Sequence, residues 1–136
     1  MTITIDTNVL VRLIVGDDPD QTQSARTEVL AAERVVVTLV ALSETVWVLK
    51  SRYGFGRAEI GRAIGVFLSI PSVIVDRPTV EHGLAHLNEG GDFTDAIIAA
   101  EGLALGGQSF VSFDRKAIRR LTKSGMAARL PGALAK

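Results

Sequence analysis

The chain has 136 residues and no cysteine. That excludes disulfides, thiolate zinc centres and cysteine nucleophiles together. It has no net charge, with 15 basic residues against 15 acidic ones, whereas nucleic-acid binders usually carry an excess of positive charge. No apolar run approaches the roughly 18 residues of a membrane span. The N-terminus lacks the basic patch and apolar stretch of a secretory signal, and the lack of cysteine fits the expectation of a cytoplasmic protein. There is no G-x-S-x-G elbow and no phosphate-binding P-loop. Internal repeats, linkers and low-complexity segments are also missing. What remains is an apolar chain, 47% hydrophobic, long enough for one domain spanning residues 1–136.

Against that background a few isolated acids stand out. Thr2 to Ile5 is a short β-branched run that reads as a strand, and it ends in Asp6. Val9, Leu10, Leu13 and Ile14 then repeat at helical spacing. Asp6 is therefore expected at the C-terminal end of a strand, where α/β sheets collect ligands; its ordinary alternative duty, shared with Thr7, is to cap the next helix. Gly16 closes that helix. Asp17, Asp18 and Asp20 surround Pro19 and read as turn and capping residues of a second helix, about Asp20 to Ala32. Arg34 to Thr38 reads as a buried strand, and Leu39 to Arg52 as a helix. Between Val35 and Leu49 the single charged residue is Glu44. A carboxylate in such surroundings either lies on the exposed helix surface or has a partner, because burial without one costs several kcal/mol.

Further helices are expected over Arg57 to Ile70 and about Thr79 to Glu89, with a short strand at Val73 to Asp76 between them. His82 and His86 are four apart with Glu89 one turn on. No third nitrogen or sulfur ligand accompanies them, so a solvated helix face is expected rather than a metal site. Gly90-Gly91-Asp92-Phe93-Thr94-Asp95 leads into a segment from Ala96 to Ala104 that is apolar nearly all round, the mark of a buried helix. Asp92 can cap it, with Asp95 in its first turn. Gln108 to Phe113 is a strand ending in Asp114, which repeats the pattern at Asp6. A basic helix follows from Arg115 to Lys123, and Ser124 to Lys136 has room for a short extra strand. From Arg115 onward there are seven Lys or Arg and no acid.

Strands alternate with helices at spacings too long for hairpins. The expected architecture is α/β, with three layers: a central parallel sheet of four or five strands flanked by helices. Strand ends and the following helix starts share one edge of such a sheet. Asp6, Glu44, Asp95 and Asp114 can therefore converge there, with Asp92 nearby. Clustered carboxylates repel, and a hard divalent cation, Mg²⁺ or Mn²⁺, relieves the repulsion. Such an ion activates water and neutralises a leaving oxygen, which suits phosphodiester hydrolysis. The basic segment with Arg115, Lys116, Arg119 and Arg120 can hold a polyanionic backbone beside it.

The order of these motifs resembles the PIN-domain nucleases. Asp6-Thr7-Asn8 after an N-terminal strand is similar to their opening motif and Ser43-Glu44 to their second. Asp92 to Ala100 is similar to the third and Ser112-Phe113-Asp114 to the fourth. Length and spacing resemble the VapC-type toxins of type II toxin–antitoxin pairs. The resemblance implies a Mg²⁺- or Mn²⁺-dependent endoribonuclease that forms a homodimer and is silenced by a cognate antitoxin. It implies Asp6, Glu44, Asp95 and Asp114 as the catalytic and metal-binding quartet, with Asp92 assisting through water. Asn8 and Ser112 would support them by hydrogen bonds. Two rivals stand beside it. One is a metal-binding module that docks RNA or protein without catalysis. The other is a haloacid-dehalogenase-like phosphatase, which usually wants a second Asp where this chain has Asn8.

Overall fold

The computed structural model describes residues 1–132, and Lys136, part of the expected basic arm, lies outside the described residues. These residues form two compact units, Met1–Asp76 and the segment from Arg77 onward.

In the first unit, strand β1 (Thr2–Thr4) leads into helix α1 (Thr7–Val15), then α2 (Pro19–Ala31), β2 (Arg34–Val36), α3 (Leu39–Ser51), α4 (Arg57–Leu68) and β3 (Val73–Ile74). The three strands pair in the order β1-β2-β3, all parallel, with Ile3 opposite Val35 and Val35 opposite Val73. The Ile5 N–H still reaches the Val36 carbonyl, at 3.1 Å, so the ladder holds the chain up to the residue before Asp6. Local chemistry sets the helix ends. Asp18 accepts from the Gln21 N–H and Pro19 takes the first helical position, where its missing N–H costs nothing. Gly16 closes α1 at φ 68°, a left-handed conformation that glycine adopts without strain. Thr38 caps α3 by accepting from Ala41. Leu10, Val35, Leu42, Leu49, Ile60 and Ile64 are essentially shut off from water and form the core of this unit. Each such side chain contributes about 1.5–3 kcal/mol by burial.

The second unit contains α5 (Arg77–Asn88), α6 (Phe93–Ala104), β4 (Phe110–Val111), α7 (Arg115–Lys123) and β5 (Ala128–Arg129). Strands β4 and β5 are also parallel, with Phe110 opposite Ala128. Helices α5 and α6 meet at Gly83. A Cβ there would come within 2.8 Å of Phe93 and 2.9 Å of Ile97, so only glycine lets the two helices close on a core of Val80, Leu87, Phe93, Ala96 and Ile97.

The α/β class, the parallel pairing and the extra strand near the C-terminus match expectation. Three details differ. The strands are only two or three residues long, and their ladders fall into a three-stranded and a two-stranded group rather than one continuous sheet. Helix α6 is not buried all round: Ile98 is 54% and Leu103 62% exposed, because packing uses only the stripe of Phe93, Ala96, Ile97 and Ala99. His86 is not solvated but 4% exposed. Its ring fills the space that a side chain on Gly91 would need, so the Gly90-Gly91 turn folds directly over it. Among the described residues no helix is long and apolar enough to cross a membrane.

Candidate active site

Asp6 stands between β1 and α1 as the N-cap of the helix, and its Oδ1 accepts from the Val9 N–H at 3.0 Å. The capping duty and the strand-end position are thus both real. One turn into α3, Glu44 is exposed, and its Oε2 accepts from the Thr7 hydroxyl at 2.8 Å. That bond spans 37 residues of sequence and ties the start of α1 to α3. Thr7, which the sequence offered only as a possible cap, is the residue that holds the Glu44 carboxylate. The signal was its place in Asp6-Thr7-Asn8, between two polar neighbours already under suspicion. Asn8 is exposed in the first turn of α1, and with Asp6 it borders a hollow of about 790 Å³.

In the second unit, Asp92 caps α6 and its Oδ1 accepts from the Asp95 N–H at 2.8 Å. Asp114 caps α7 in the same manner, through the Ala117 N–H at 3.1 Å, while its own N–H donates to the Ser112 hydroxyl at 3.0 Å. Asp95 is the carboxylate of this group least accessible to water. Burial, and after it the negative charges of Asp92 and Asp114, push its pKa from 3.8 up to about 6. This acid is held where its own charge is unwelcome. Helix α7 buries Ala117 and Leu121 and exposes Arg115, Lys116, Arg119 and Arg120. The Arg120 guanidinium lies against the Gly90 turn, with Nη1 2.8 Å from where a Cβ would stand.

The donor set is all oxygen, from Asp, Glu and Ser, which suits a hard divalent cation and not a soft one. Burial first, and then the charges of Asp92 and Asp114, disfavour the ionised form of Asp95, a penalty that a bound cation would offset. Asp92, Asp95 and Asp114 therefore fit a cation by chemistry and by charge. The expected convergence of Asp6, Glu44, Asp95 and Asp114 is not seen as a cluster: among the described residues, no three His, Cys, Asp or Glu side chains are gathered to hold a metal ion.

A model of the PIN domain matches residues 3–123 of the chain. The chain belongs to the PIN-domain family. The match runs through both compact units, from β1 to the end of α7. No curated protein matches the chain. Among solved structures, this PIN domain is similar to Mycobacterium tuberculosis VapC20, described as a sarcin–ricin loop cleaving toxin. The two share 21% sequence identity over 93% of this chain and 97% of that one, with a TM-score of 0.43.

Proposed function

We propose that this PIN domain is a metal-dependent endoribonuclease, acting as the toxin of a type II toxin–antitoxin pair in the cytoplasm. In this account residues 1–136 work as one nuclease domain. Asp6, Glu44, Asp95 and Asp114 hold Mg²⁺ or Mn²⁺, Asp92 assists, and Asn8 and Ser112 steady the group. The observation that carries it is Asp95, a half-buried carboxylate kept beside two more acids at the cost of a raised pKa. Burial and the neighbouring charges of Asp92 and Asp114 penalise its ionised form, and a cation bound there would offset that penalty. Family membership supports the same chemistry.

The chain's own residues divide the work. Thr7 fixes the Glu44 carboxylate through its hydroxyl. Ser112 and the α7 N-terminus fix Asp114. Arg115, Lys116, Arg119 and Arg120 hold the RNA backbone by its phosphates. A divalent ion, when bound, supplies the Lewis acidity that makes water nucleophilic and stabilises the departing oxygen.

For the cognate antitoxin, the first unit offers an apolar hollow of about 580 Å³ among α1, α2 and α4, with Leu13, Ile14, Val29, Leu30 and Val66 on its walls. Arg26 and Arg62 flank it. An amphipathic helix with acidic edges matches that lining. A homodimer would draw its contact from the apolar helices of the first half.

The test is RNA cleavage by antitoxin-free protein with Mg²⁺ or Mn²⁺, compared with chelated buffer, for wild type, Asp6→Asn and Glu44→Gln. Metal-dependent cleavage that both variants lose, while staying folded, is expected. Undiminished cleavage in either folded variant would remove that residue from the chemistry, and in both would overturn the proposal.

A further inference from the structure

The face of α3 that carries Glu44 also carries the one tryptophan of the chain. Trp47 follows Glu44 by three residues and Val40 by seven, so the three share a stripe of the helix. Trp47 is 62% exposed and Val40 67%. The opposite stripe, Ala41, Leu42, Thr45, Val46 and Leu49, is the buried one, so α3 is anchored without any help from the indole. A large apolar ring left in water on an already anchored helix asks for an occupant.

The composition of the stripe restricts what that occupant is. Glu44 sits between Val40 and Trp47, with its carboxylate held by Thr7, and Lys50 follows Trp47 by three residues. A dry protein interface laid over this stripe would have to bury the Glu44 carboxylate, which is costly. A nucleotide has the complementary chemistry. Its base is a flat π surface that stacks on an indole, and its phosphate is an anion for an ammonium or a cation held by a carboxylate.

We propose that Trp47 is a stacking platform that positions an unpaired RNA base beside Glu44. The proposal rests on the ribonuclease reading above. It assigns Trp47 a positioning role, since the indole touches the base and not the reacting phosphate. Only unstacked bases can reach such a platform, so the substrate is a loop or single-stranded segment rather than a duplex. Every base has a π face, so the platform tolerates sequence variation and favours purines by their larger surface.

Because the chain has one tryptophan, its emission reports on this position alone. Antitoxin-free protein is titrated, without divalent metal, with a short oligoriboadenylate and with an abasic oligomer carrying the same number of phosphates. Emission is expected to be quenched by the adenylate and unchanged by the abasic oligomer. In cleavage assays Trp47→Ala should raise KM on the order of ten-fold with kcat little changed, and Trp47→Phe should recover most of the loss. Sedimentation of Trp47→Ala should give the wild-type mass. Three results would each overturn the proposal: an equal response to both oligomers, an unchanged KM in Trp47→Ala, or emission that shifts to the blue with protein concentration alone, which would put a second copy of the chain on this face. Failure of the ribonuclease reading looks different: wild type then cleaves no RNA with any metal, while the titration still reports whether a base stacks on Trp47.

Discussion

Replacing Asp95 with asparagine should make the protein more stable and less active at once. Folding raises the Asp95 pKa from 3.8 to about 6, chiefly by burial and then by the charges of Asp92 and Asp114. A raised acid pKa means that the folded chain binds the proton more tightly than the unfolded chain. Below pH 3.8 both states are protonated and the group costs nothing. The cost grows as pH climbs from 3.8 to about 6 and stays constant above that. A rise of this size corresponds to at most about 3 kcal/mol. Asp95 is only partly buried, and solvent screening brings the figure to about 1–2 kcal/mol. Asparagine keeps the shape and drops the charge, and the backbone N–H that bonds Asp92 is unaffected. At neutral pH, Asp95→Asn should therefore melt roughly 3–8 °C above wild type, and near pH 4 the two should coincide. Adding Mn²⁺ should raise the wild-type midpoint by mass action and leave the variant's much less changed. Chemical denaturation and thermal melts at several pH values read all of this without an activity assay. An Asp95→Asn protein less stable than wild type at neutral pH, or a difference that does not vary with pH, would refute the reasoning.

Two further outcomes follow from other contacts. Thr7→Val removes the hydroxyl that holds Glu44 but keeps the β-branched shape; cleavage should fall roughly ten-fold, while the melting midpoint stays within about 2 °C. His86 has its pKa lowered by burial first, with His82 and Arg120 adding to the effect and Glu89 and Asp92 opposing it. Its contribution to stability is therefore present above the ordinary histidine value of about 6.5 and is lost as pH falls through the window below it, because the unfolded chain takes up a proton that the folded chain resists. Urea midpoints measured at about pH 7.5 and pH 5 in the Asp95→Asn background should show this loss, and His86→Phe should flatten it.

What could be read from the sequence was whatever local chemistry decides. The start of α2 follows from Asp18-Pro19 and the end of α1 from Gly16, and both lie where those residues put them. Asp6, Asp92 and Asp114 were legible as strand-end or cap residues because an Asp before a helical pattern has few other uses. Features that depend on distant partners were harder to see. Strands of two or three residues carry too little alternation to fix their pairing, so the division of the ladders was not evident. His86 looked like a polar surface residue, since nothing near it in sequence says that a side-chain-free Gly91 will fold over its ring. Helix α6 looked uniformly apolar, and only packing decides that Ile98 and Leu103 stay outside. The bond from Thr7 to Glu44 joins residues 37 apart, which no local pattern signals.

Three of the proposed metal-site acids each use one oxygen to fasten the start of a helix: Asp6 for α1, Asp92 for α6 and Asp114 for α7. An alanine allele at any of them thus unravels a helix end, by about 1 kcal/mol, along with removing a ligand. In a cell such an allele lowers the amount of protein as well as its activity, and the two losses look alike in a growth phenotype. Asparagine separates them, since its amide oxygen can keep the helix fastened after the charge has gone.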